Sequence, residues 1–170
     1  MTNQTIAEDI IAQFGESVKN FEEPHGLMTF TTTREEIIPL LKYLNEHKTF
    51  KFQFLTDICG IHFPDNKGEE FGVIYHLHSL TNNIRIRIKI FLSANDLHTP
   101  TATNLYPTAN WMERETFDFF GIIFDGHPKL IRILNIEEMD YHPMRKEYAL
   151  EDATREDKID AQIGRASCRE

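Results

Sequence analysis

The chain has 170 residues, of which 41% are hydrophobic, and a formal charge of −9 from 18 basic and 27 acidic side chains. That length supports one buried core and the balance is that of a globular domain, but so acidic a surface repels nucleic acid and anionic lipid. Two widely separated cysteines, Cys59 and Cys168, do not make a cysteine-ligated iron–sulfur cluster or a structural zinc site, and neither common phosphate-cradling glycine loop occurs.

The opening "MTNQTIAEDI" has no basic region followed by an apolar one, so no secretory signal is expected. No stretch approaches the roughly 20 apolar residues of a membrane-spanning helix, and the expected compartment is the cytosol. Ile6, Ile10, Ile11 and Phe14 recur at helical spacing up to Gly15, a stop. "LMTFTTT" (27–33) reads as a short strand. A second helix carries Ile37, Leu40, Leu41 and Leu44 on one face, with Thr33 and Glu36 placed to form a capping box and Pro39 predicting an irregular start.

Three strands are then expected. In "FKFQFLTDI" Phe50, Phe52 and Phe54 alternate with Lys51 and Gln53; "FGVIYHLHSL" covers 71–80; and "IRIRIKIFL" covers 84–92, with Ile84, Ile86, Ile88 and Ile90 opposite Arg85, Arg87 and Lys89. "PDNKGE" supplies one turn and Asn82-Asn83 a tight hairpin. The order predicts an α+β fold: a two-layer domain with an antiparallel or mixed sheet and helices packed on one face.

Asn110 can cap a last helix ending at Gly121. On its wheel Glu113 falls among Met112, Phe117, Phe119 and Phe120, where a carboxylate must be paired. The two expected partners are the Asn110 N–H, in a capping box, or a cation from downstream, Arg132 or Arg145. Beyond residue 125 the periodicity stops, and between 137 and 160 nine acids face four bases. The division expected is therefore 1–125 as the folded domain including this helix, 126–162 as an extended partner-binding arm, and 163–170, "IGRASCRE", as a foreign tail translated from a sequencing adapter.

Candidate chemistry is thin. His76 and His78 can share a metal at i, i+2, but no third ligand is evident and they read as solvent-facing. A Glu/His enzyme built on His127 or His142 with Glu113 or Glu115 lacks an orienting group and a nucleophile. Glu113 and Glu115 diverge on a helix, so they are not a hydrolytic pair. No catalytic, cofactor-binding or metal-binding residue is assigned.

The series Glu113, Arg114, Glu115, Asp118, Gly121, Phe124, His127, Pro128, Leu130 and Arg132, followed by Pro143, Arg145 and Lys146, resembles the signature of the thirty-kilodalton subunit family of respiratory complex I, the C subunit of proton-pumping NADH:quinone oxidoreductase. Tyr141, Met144 and Glu147 depart from the family's usual residues. The resemblance implies a non-catalytic structural subunit of the peripheral arm, on the cytoplasmic face of the membrane, with these residues in ion pairs and hydrogen bonds that lock the arm and the partner. It implies no cofactor in this chain, FMN and iron–sulfur clusters in partner subunits, and as partners a quinone-site subunit like hydrogenase large subunits and neighbouring iron–sulfur subunits. Membrane contact would come only through the complex. The same resemblance extends to membrane-bound hydrogenases and ferredoxin oxidoreductases.

Overall fold

The computed structural model describes residues 2–148; the expected adapter tail, Cys168 and the later part of the arm lie outside them. Helix α1 (Asn3–Phe14) starts where the Thr5 N–H donates to Thr2 Oγ1, and it buries Ile6 and Ile10. Ile11 turns outward, 47% exposed, in contrast to the expected stripe.

Strand β1 (Val18–Glu22), which the sequence reading does not contain, runs antiparallel to β2 (Met28–Thr32). Helix α2 (Ile37–Glu46) buries Ile37, Leu40, Leu41 and Leu44 as expected, but the capping box is not formed: Glu36 precedes the helix without a side-chain bond. Starting at Ile37 puts Pro39 in the first turn, where its missing N–H has no intrahelical partner to lose.

The next strand begins later than the phenylalanine alternation predicts. Strand β3 runs Phe54–His62, and Phe54 is 45% exposed. Phe50 and Phe52 are buried from an irregular segment in which Lys51 takes φ +51°. Strands β4 (Phe71–Ser79) and β5 (Ile84–Leu92) complete the antiparallel meander. Their hairpin is a four-residue loop rather than a two-residue turn: Ser79 pairs with Ile84, and Asn82 Nδ2 donates to the carbonyls of Thr49 and Phe50.

The five strands lie in the order β1-β2-β5-β4-β3, with β2 parallel to β5 and the rest antiparallel, so the sheet is mixed. Ile86, Ile88 and Ile90 of β5, Val73, Tyr75 and Leu77 of β4, and Phe30 of β2 join the helix residues in one core. The alternate positions, Arg85, Arg87, Lys89, His76 and His78, lie on the opposite face and are not buried. On that face Lys89 Nζ meets Glu22 Oε1 at 2.9 Å, the acidic neighbour its stripe calls for.

After β5 the chain forms β6 (His98–Pro100), helix α3 (Ala109–Phe120) and β7 (Ile123–Asp125). The two short strands pair in parallel as a second sheet. Helix α3 lies tight on β3: a Cβ placed on Gly60 would stand 2.4 Å from Phe120 Cδ2. Residues 126–148 contain neither helix nor strand.

Candidate partner-docking site

Helix α3 is amphipathic in an uncommon way, because the residues it buries are mostly polar: Glu113, Thr116 and Asp118 sit beside Ala109. Each buried carboxylate therefore needs donors, and the two find them on opposite sides.

Glu113 is 0% exposed and accepts the Thr101 hydroxyl at 2.5 Å and the Ala102 N–H at 2.7 Å. Both expected partners are thus replaced. The helix begins at Ala109, one residue before Asn110, so Glu113 is not positioned for the box, and Arg132 and Arg145 bind elsewhere. Burial pushes the Glu113 carboxyl up to about 7, against the lowering effect of its two donors. It ties α3 to the loop between β6 and the helix.

Asp118 serves the arm. Burial alone would raise its carboxyl, but donors from the arm outweigh that and hold it well below the usual range. The N–H groups of Ile133, Leu134 and Asn135 converge on Oδ2 at 2.9–3.1 Å, while Arg132 and Asn135 Nδ2 reach Oδ1 at 2.7 and 3.1 Å. Arg132 is shared further with the carbonyls of Asp118, Met139 and Tyr141, so one guanidinium gathers helix and arm together. One turn back, Arg114 donates to the carbonyls of Ile131 and Arg132 and lies 5.2 Å over the Trp111 ring.

The helix end holds the arm's second half. Gly121 closes α3 at φ +76°, and a Cβ there would fall 2.5 Å from Arg145 Nη2 and 2.7 Å from the His142 ring. Arg145 donates to the Phe120 carbonyl at 2.8 Å and lies 5.0 Å over the Phe71 ring. His142 Nδ1 lies 2.9 Å from the Asp118 carbonyl, and burial holds its imidazole below the ordinary value. The Lys146 N–H donates to His62 Nδ1 at 2.9 Å.

Most of the signature residues are thereby brought together, as one latch between α3 and residues 127–148. His127 takes part through Nε2, 3.1 Å from the Asn110 carbonyl, and Nδ1, which accepts the Lys129 N–H. Phe124 is core and Leu130 packs against the core. Glu115 and Pro128 are exposed, and Pro143 is half-buried. The structure does not bring a histidine to either glutamate: His127 and His142 both contact backbone carbonyls.

The latch displays apolar side chains that sequence reasoning missed. Trp111, Leu134, Ile136, Tyr141, Met144 and Tyr148 are exposed, Leu134 and Ile136 at 65% and 67%. Leu134 and Ile136 turn outward while the backbone at 133–135 is fixed on Asp118. The signal was present in "LNIEEMDY", where large apolar residues interrupt an acidic arm without a helical or strand period.

The protein is thus a two-layer α+β domain whose last helix holds an irregular segment through buried charges. The family model described as "Respiratory-chain NADH dehydrogenase, 30 Kd subunit" matches residues 30–154, and the chain belongs to that family. It is 44% identical over 125 residues to the NADH-quinone oxidoreductase C subunit of Nocardioides sp. (strain ATCC BAA-499 / JS614), covering 74% of this chain and 50% of that one. It is 43% identical over 142 residues to the NADH-quinone oxidoreductase C subunit 2 of Rhizobium meliloti (strain 1021), covering 83% and 76%. The match thus spans 50% of the length of the first of these curated relatives and 76% of the second. Among solved structures, a trypsin-resistant fragment (1-134) of Nqo5 superimposes with a TM-score of 0.64 at 32% identity, covering 76% of this chain and all of that one. The archaeal membrane-bound sulfane sulfur reductase, with a TM-score of 0.72 at 22% identity over 86% of this chain and 85% of that one, shares the fold.

Proposed function

We propose that the chain is a non-catalytic structural subunit in the peripheral arm of a membrane-bound NADH:quinone oxidoreductase, which passes electrons from NADH to quinone and couples them to proton translocation. The carrying observation is the α3–arm latch with Leu134 and Ile136 displayed on it. Buried charges fix an irregular segment, and what that segment offers outward is apolar. Such a surface fits a partner protein better than a small substrate. The partner is the quinone-site subunit, with iron–sulfur subunits alongside. FMN and the clusters belong to partners, and the chain sits at the cytoplasmic face of the membrane through the complex. Further support comes from its relatives, which carry the name of an NADH-quinone oxidoreductase C subunit. No helix among the described residues is long and apolar enough to cross a membrane.

The test is affinity capture of the tagged chain from cells, with identification of co-purifying subunits. The double variant Leu134→Asp/Ile136→Asp should keep the melting temperature of the parent, because both side chains already face solvent, and should lose the quinone-site subunit. Equal capture by the variant would remove the arm as docking surface. Absence of any oxidoreductase subunit with the parent would remove the whole reading.

A further inference from the structure

On the sheet face opposite the core, β3 and β4 bring together groups that are far apart in sequence. Asp57, Cys59 and His76 each present one ligand atom, and the three atoms lie within 4.8 Å of one another at half-buried positions. His76 Nδ1 stands 3.7 Å from Asp57 Oδ2.

A bulge makes this arrangement. Leu55 pairs with Leu77, yet Asp57 pairs with His76 and Ile58 with Tyr75, so β3 holds one extra residue between Leu55 and Asp57. In an unbroken register Asp57 would oppose Tyr75 and point into the core. With the bulge, Leu55 and Ile58 both stay inside and Asp57 turns to the side of His76. Bulges commonly re-aim side chains in this way beside functional sites.

We propose that Asp57, Cys59 and His76 form a binding site for a divalent transition-metal ion of the zinc class, with the fourth coordination position open to water. Carboxylate, thiolate and imidazole are the donor types such an ion takes, at bond lengths of about 2.0–2.3 Å that set tetrahedral ligand atoms about 3.3–3.8 Å apart. The Asp57–His76 pair already meets that spacing, and the remaining separations need to close by no more than about 1.5 Å to reach it. Thiolate and carboxylate together offset the charge of the ion. His78, two residues on, belongs to a different row, opposite Phe54, and is not in the set.

Binding has two local costs. The Arg87 Nε–H donates to His76 Nε2 at 2.9 Å, which places the imidazole proton on Nδ1. Ligation through Nδ1 moves that proton to Nε2, so Arg87 must swing away. Burial and then Asp57 push the Cys59 thiol up to about 11, so the ion must displace the thiol proton. Arg87 is therefore the residue whose removal should improve the site.

The experiment is titration of the untagged full chain carrying Cys168→Ser with Co2+, followed by absorption. One equivalent should give a thiolate-to-cobalt charge-transfer band and tetrahedral ligand-field bands, both abolished by excess Zn2+. His76→Gln and Cys59→Ser should each weaken binding at least tenfold, His78→Gln should leave it unchanged, and Arg87→Gln should tighten it. A second readout needs no change in the cluster: saturating Zn2+ should slow alkylation of Cys59 at least tenfold. No thiolate–cobalt band at one equivalent, a band that survives His76→Gln, or an alkylation rate indifferent to Zn2+ overturns the proposal. The result is independent of the docking function.

Discussion

Arg132 reaches Asp118 with Nη1 at 2.7 Å from Oδ1, the carboxylate wholly buried and the guanidinium side chain 7% exposed. Single exposed ion pairs contribute little, but breaking a buried one leaves an uncompensated charge and costs about 3–5 kcal/mol. Here the lone carboxylate also collects three backbone N–H groups, so it acts as the nucleus around which residues 132–135 turn.

Asp118→Ala should therefore free the arm. The expected loss is about 3–5 kcal/mol, read in limited trypsin digestion as faster cleavage after Arg132 than in the parent. Resistance equal to that of the parent would show that Arg114 and Arg145 hold the arm unaided.

Acid should act on the same bond. The folded carboxyl is depressed below its ordinary value of 3.8, so its stabilisation is present above that value and lost as pH falls through the folded one. Trypsin cannot be used at such pH, but protection from hydrogen exchange at the amides of 133–135 should fall below about pH 4, ahead of that of the amides of β4 and β5.

Glu113 carries the opposite sign. Its folded carboxyl stands near 7 against 4.5 for the free group, so it favours the folded state fully below about 4.5 and loses that contribution as pH rises to about 7. The penalty at neutral pH is roughly 3 kcal/mol if the shift acts in full. Glu113→Gln keeps an acceptor for the Ala102 N–H and should flatten the fall in melting temperature across that window. An unchanged pH profile would assign the dependence elsewhere.

Gly60→Ala should be costly although Gly60 is not one of the signature residues. The new methyl meets Phe120 at 2.4 Å, and overpacking of this kind costs about 1–3 kcal/mol. Phe120→Leu in the same chain should recover part of the loss, and a strictly additive double variant would place the strain elsewhere.

Where hydrophobic period and local chemistry agreed, the fold could be read from residues alone: the alternation Ile84–Ile90, the stripe Ile37–Leu44 and the stops at Gly15 and Gly121. Where they diverged, it could not. Phe50 and Phe52 mimic a strand, but Lys51 sits at positive φ and both rings reach the core from a loop. Strand β1 is a short, polar edge with a bulge and gives no periodic signal. In the site, the signature residues were visible as a set, including both Asp118 and Arg132. The partners of Glu113 were not, because Thr101 and Ala102 come from an aperiodic loop whose path only tertiary packing decides.

The parallel pairing of β2 with β5 has a consequence for synthesis. Strand β2 is finished at Thr32, but the strand it pairs with begins at Ile84, and β3 and β4 must be made in between. The β1–β2 hairpin and both early helices thus leave the ribosome before the central strand of the sheet exists, and closing so long a loop is slow. The middle of the sheet is the last part of it to be joined, and a nascent chain stalled before residue 84 should depend on chaperones that a chain released after residue 92 no longer needs.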